Sequence, residues 1–111
     1  MPGTDPQMLK GVLSLLLLEL LSEQENYGYQ VVVRLRDDGF DQLNEGTVYP
    51  ALTRLESQGL LASRLVKSSS GPARKYYSTT SDGADELLRA RAAWERLVAS
   101  VSRTLGERTS S

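Results

Sequence analysis

Neither cysteine nor histidine occurs among the 111 residues. Their absence excludes a Ser-His-Asp triad, a cysteine nucleophile, a structural zinc site, a disulfide framework and an imidazole pH switch. Only carboxylates, lysine, tyrosine, serine and threonine remain for catalysis. No catalytic residue, metal ligand or cofactor is therefore expected, and an enzyme is the least favoured class. Long hydrophobic runs are also scarce. The most apolar stretch, Val12 to Leu21, spans ten residues and includes Ser14 and Glu19, about half of what a bilayer crossing needs. It makes a poor signal peptide, with Asp5 and a single Lys10 before it and no small-residue cleavage site after it. A buried helix in a cytoplasmic protein, with no membrane partner, is the better reading. There is no excess of either charge: 13 basic and 14 acidic residues give a net of −1. Taken whole, that balance argues mildly against a nucleic-acid partner. The length points to one domain.

What is present divides into short segments. Residues 1–7 carry two prolines and a glycine and are expected to form a disordered arm. Residues 8–23 read as a first helix, with apolar side chains around nearly its whole circumference. Such a helix must be covered on all sides, and a partner subunit is the economical cover in so short a chain. Loss of residues 92 onward would then leave it bare and the chain monomeric or insoluble. Residues 27–37 (YGYQVVVRLRD) suit a strand by their valine run and tyrosines. Helical spacing instead gathers Gly28, Val31, Val32 and Leu35 on one stripe, which predicts a second helix ended by Gly39. A third helix is predicted over 47–58, with Gly46 as N-cap, Pro50 in the first turn and Gly59 as its stop. Residues 61–67 and 74–79 read as two strands joined by the Ser68–Ala73 turn signal. Thr80 or Ser81 then caps a last helix running to Gly106. Its positions 84, 87, 91, 94, 98, 101 and 105 are spaced alternately by three and four, and all but Arg91 are apolar, a seam for packing against another helix. Residues 107–111 are expected to fray.

Three helices followed by a hairpin and a helix predict a mainly α member of the α+β class, a winged helix-turn-helix with a two-stranded wing. The winged domain covers 8–80, and a C-terminal dimerisation helix covers 81–106. In this motif the helix over 47–58 enters the major groove. The charge then has to be located. From Ser57 to Ser81 there is no Asp or Glu, while Arg64, Lys67, Arg74 and Lys75 contribute +4, leaving −5 on the rest of the chain. The neutral total is a basic wing on an acidic body, and DNA phosphates would meet the wing.

Three blocks now stand out: Tyr27-Gly28-Tyr29; Glu45-Gly46-Thr47-Val48-Tyr49-Pro50-Ala51-Leu52, continuing through Arg54-Leu55-Glu56 to Gly59-Leu60-Leu61; and Gly71-Pro72-Ala73-Arg74-Lys75-Tyr76-Tyr77, leading to Thr80 and Gly83. Together they resemble the PadR-like transcriptional regulators, in the short form with a single C-terminal helix. Ala73 departs from the family's second proline and Thr79 from its leucine. The second departure is expected to weaken one wall of the contact between wing and body. The resemblance implies a homodimeric DNA-binding regulator, most often a repressor, whose last helix makes the dimer.

On this reading Thr47 and Tyr49 approach phosphates near the helix N-terminus. Pro50, Thr53, Arg54 and Ser57 lie on the outward face. Arg54 is the one side chain there able to read guanine bidentately, unless an intramolecular carboxylate holds it. Arg64, Lys67, Arg74 and Lys75 are the wing's contacts to backbone or minor groove. Leu13, Leu16, Leu17, Leu87, Trp94, Val98, Val101 and Leu105 form the expected dimer interface. Trp94 is either a seam aromatic or, as the resemblance implies, a site for a flat hydrophobic effector, with Arg91 one turn away. The expected partners are a palindromic DNA operator, a second copy of the chain and such an effector. The competing class is a winged-helix protein-interaction module that does not bind DNA.

Overall fold

The computed structural model describes residues 5–106, and residues 1–4 and the tail predicted to fray lie outside that range. The chain runs α1 (Pro6–Lys10), α2 (Leu13–Glu23), β1 (Asn26–Tyr27), α3 (Gly28–Asp37), α4 (Glu45–Ser57), β2 (Leu61–Val66), β3 (Arg74–Thr79) and α5 (Ser81–Leu105). Disorder was expected through Gln7, but the helix begins earlier. The Asp5 side chain accepts a hydrogen bond from the Gln7 backbone N–H at 2.8 Å, and Pro6 opens the helix where a missing N–H costs nothing. The predicted first helix is also two helices. Gly11 closes α1 with its N–H directed at the Met8 carbonyl, and Gly11 and Val12 form a turn before α2 begins at Leu13.

The predicted lack of cover for the apolar helix is corrected. Leu13, Leu17, Leu18 and Leu21 of α2 are buried within the single chain, Leu17 completely. Helix α2 runs through the middle of the fold, packing against α5, β3 and α4. Leu15, Leu16 and Leu20 on its remaining sides are half-buried. Leu87 reaches this core from α5, and Leu52, Leu55 and Val48 reach it from α4. Each fully buried leucine is worth about 1.5–3 kcal/mol relative to exposure, so one chain builds a substantial core unaided. No helix among the described residues is long and apolar enough to cross a membrane.

The sheet has three strands, in the order β1-β3-β2, all antiparallel. The wing was expected to be two-stranded; Asn26 and Tyr27, opposite Tyr77 and Tyr76, add the third. This pairing ties the entrance of α3 to the wing. Tyr77 points into the core and Tyr76 is half-exposed, the expected alternation. Thr79 does not weaken the contact with the body: its hydroxyl donates to the Leu18 carbonyl of α2 at 2.9 Å.

Thr80 joins three elements. Its hydroxyl accepts from the Gly83 N–H at 3.0 Å as the N-cap of α5, and donates to the Gly59 carbonyl at 2.7 Å. Its backbone N–H donates to the Leu60 carbonyl at 3.1 Å. Thr80→Ala should therefore lose about 1–2 kcal/mol, at the upper end for a cap. Thermal melting checks this, and Thr80→Ser should recover most of the loss.

Candidate nucleic-acid interface

Helix α4 starts two residues earlier than predicted because Asn44, not Gly46, is its cap. The Asn44 side-chain oxygen accepts from the Thr47 N–H at 3.1 Å. Pro50 consequently falls in the second turn rather than the first, as the sixth residue of the helix. There it removes the donor that the Gly46 carbonyl would otherwise receive. Val48, Ala51, Leu52 and Leu55 bury one face. Thr47, Tyr49, Pro50, Thr53, Arg54 and Ser57 are all exposed, so the helix presents the whole predicted set.

These side chains are not equally available. The Thr47 hydroxyl leans on Asn44 at 3.5 Å, and the Ser57 hydroxyl turns back onto the Thr53 carbonyl at 2.9 Å. Among the described residues no carboxylate holds Arg54. Its Nη2 donates to Ser14 Oγ at 3.2 Å, from the exposed flank that borders α2. Thr53 makes no side-chain hydrogen bond among the described residues. Tyr49 lies over the first residue of α3, where a Cβ on Gly28 would come within 2.6 Å of Cε1 of its ring. Burial against this surface raises the Tyr49 phenol above its ordinary pKa. Tyr27, Gly28 and Tyr29 thus share a physical reason: β1 ends, α3 starts and the α4 tyrosine rests at the junction. Tyr29 itself is about half-exposed, at 51%. In Gly28→Ala the Tyr49 ring can swing toward solvent, so stability should fall by under about 1 kcal/mol. DNA affinity should fall about fivefold, the worth of one displaced hydrogen bond. Unchanged affinity in an anisotropy titration would remove Tyr49 from the interface.

The wing is less bare than its sequence. The window from Ser57 to Ser81 lacks acidic residues, yet two carboxylates reach it from outside. Glu25 accepts a bidentate pair from Arg64, with both N···O distances 2.7 Å. Glu56 of α4 meets Lys75 Nζ at 2.9 Å through one oxygen and accepts from the Ser63 hydroxyl at 2.5 Å through the other. Both carboxyls are held below the usual range, Glu25 chiefly by hydrogen bonding from Arg64, and Glu56 by Ser63 first and Lys75 second. Arg74 lies over the Tyr27 ring at 4.6 Å, and Tyr27 packs on Tyr76 at 5.2 Å. Lys67 makes no ion pair among the described residues. Glu25 was missed because it lies 39 residues before Arg64. Glu56 left a signal: it immediately precedes the acid-free window, on the flank of α4.

The far side of the molecule carries the other predicted set. Leu13, Leu17 and Leu87 are core residues and present nothing to a partner. Arg91 pairs with Glu19 of α2 at 2.8 Å, so an effector group reaching it would compete with that carboxylate. Beyond Arg91 the same face of α5 is bare. Trp94 is 44% exposed, and Leu97, Val98, Val101 and Leu105 are comparably open or more so.

A buried helical body, an outward polar helix after the 38–44 link, and a β-hairpin at its end define a winged helix-turn-helix of the DNA-binding class. The comparisons give the family. The model of the transcriptional regulator PadR-like family matches residues 17–89. A PadR-like transcriptional regulator from Bacillus cereus is 37% identical, covers 92% of this chain and 99% of its own, and superposes with a TM-score of 0.82. A PadR family transcriptional regulator from Eggerthella lenta is 39% identical over 89% of this chain and 86% of its own, also with a TM-score of 0.82. An uncharacterized protein of Lysinibacillus sphaericus is 32% identical over 78 residues, 68% of this chain and 72% of that one. The chain belongs to the PadR-like family of transcriptional regulators, and its function class is that of a DNA-binding regulator rather than an enzyme.

Proposed function

We propose that the chain acts as a homodimeric, sequence-specific repressor. Two α4 helices related by a twofold axis read the half-sites of a palindromic operator, spaced by one helical turn of about 10 bp. Thr53, Arg54 and Ser57 face the base edges with Pro50 on the same outward face, Thr47 and Tyr49 approach phosphates, and the wing lies along the backbone or minor groove. The observation that carries the dimer is the bare apolar face of α5, from Trp94 to Leu105. It continues the line of Leu87, which packs on the body of its own chain, so the overhanging half can pack in the same manner on a second copy. Leu16, half-buried on α2, is the one residue of the predicted first-helix set still accessible to that copy. A flat hydrophobic effector would act at Trp94, with Arg91 one turn away and paired to Glu19.

Fluorescence anisotropy with the promoter of its own gene tests this reading. The operator should bind about a thousandfold or more tighter than random DNA, with affinity falling steeply as salt rises. Equal affinity for both would overturn the sequence-specific reading. A stable heteromeric partner, with no DNA binding at low salt, would favour an interaction module instead.

A further inference from the structure

Two carboxylates hold opposite faces of one strand of the wing. In β2, Ser63 lies on the face turned to α4, and Arg64 on the other. Glu56 spans from the last turns of α4 to both strands, through Ser63 on β2 and Lys75 on β3. Glu25, in the link between α2 and β1, takes Arg64 on the reverse face through both of its oxygens. Each acid is about two-thirds buried, while each cation is about half-exposed or more. A phosphate can therefore reach the cations, but only in competition with a carboxylate already in place.

We propose that Glu25 and Glu56 are specificity-determining residues that hold the wing's cations against non-specific phosphate contact. Non-specific binding is almost wholly electrostatic and grows with the number of cations free to displace counterions. A cation held by a built-in carboxylate releases little when it meets a randomly placed phosphate. At the operator α4 is seated in the groove, and the hairpin tied to it through Glu56 is presented to the backbone at one angle. The carboxylates thus penalise loose docking and orient the wing for the seated complex. This inference rests on the wing contacts proposed above.

The test uses the full chain and the isosteric variants Glu25→Gln, Glu56→Gln and their double, titrated on operator and on random DNA across a salt series. On random DNA each variant should bind about threefold or more tighter at low salt, with a log-log salt slope steeper by about one per subunit. The ratio of operator to random affinity should fall about tenfold or more in the double variant. Adding Lys75→Ala to Glu56→Gln should return the slope to that of the parent, identifying the freed cation. Parallel weakening on both DNAs would reduce the acids to structural braces and overturn the proposal. No change on either would make them ordinary surface pairs, with the same consequence. If Lys67→Ala and Lys75→Ala, each in the parent chain, both leave the slope unchanged on both DNAs, the wing reading itself fails, which is distinguishable from failure of the carboxylate proposal alone.

Discussion

Val98→Glu should leave the chain folded, make it monomeric and lower operator affinity by about a thousandfold. Val98 lies near the middle of the bare α5 face and is absent from the core of its own chain, so the body loses nothing by the change. Across a twofold interface the substitution would place two carboxylates in an apolar contact. A monomer reads one half-site, and joining two modules typically multiplies affinity by about 10²–10⁴. Sedimentation gives the oligomeric state, circular dichroism the fold, and anisotropy the affinity. A dimer that retains operator affinity within a factor of about three would remove α5 as the dimer interface.

The same geometry alters what truncation should do. An α2 helix apolar on every side suggests collapse or insolubility once residues from Ala92 onward are lost. In the fold, however, the walls of α2 are β3, α4 and the first turns of α5, with Leu87 the α5 residue that reaches the core. A chain ending at residue 91 keeps all of them. It should be soluble and folded, and should fail only in dimerisation and in tight operator binding.

How much could be read in advance follows from the range of the interactions involved. Gly39 and Gly59 end α3 and α4 with positive φ, and Thr80 caps α5. These are effects of a few neighbouring residues, and they are visible as residue types. The hairpin was equally legible from its Ser-Gly-Pro turn. The polar face of α4 followed from helical periodicity, although the cap at Asn44 did not. Gly46 and Asn44 both make acceptable caps, and only the backbone geometry distinguishes them. Strand β1 was illegible because two residues carry no period and exist only through pairing with Tyr76 and Tyr77, about fifty residues further on. The direction of α2 was illegible for a different reason: a helix that is apolar on all sides has no face to point. The paired state of the wing required knowing that Glu25 and Glu56 arrive from outside the window whose charge had been summed. A charge sum over that window yields the sign of the wing but not how much of its charge is free.

Gly83→Ala should be the most destabilising single methyl addition in the described chain. A Cβ there would lie 2.1 Å from the Leu60 carbonyl oxygen and 2.8 Å from Cγ2 of Thr79. The Thr79 methyl can turn aside, but the carbonyl is backbone and already accepts the Thr80 N–H at 3.1 Å. Retreat of Leu60 would break that bond and strain the Thr80 hydroxyl bridge between Gly59 and Gly83. Retreat of Gly83 would instead lift the first turn of α5, and with it Leu87, from the core. Either course should cost about 3–5 kcal/mol, among the largest single-site effects. Against a total of about 5–15 kcal/mol for a domain, the melting temperature should fall by about 12 °C or more. Gly71→Ala is the control, since a Cβ there meets nothing within 4 Å, and it should melt like the parent. Contrast with Gly28→Ala is the sharper comparison. There the obstructing atom is the exposed end of a tyrosine and the cost falls on binding; at Gly83 it is backbone and the cost falls on folding. If Gly83→Ala melts within about 2 °C of Gly71→Ala, the close approach of α5 to the α4–β2 turn is not what holds the last helix to the body.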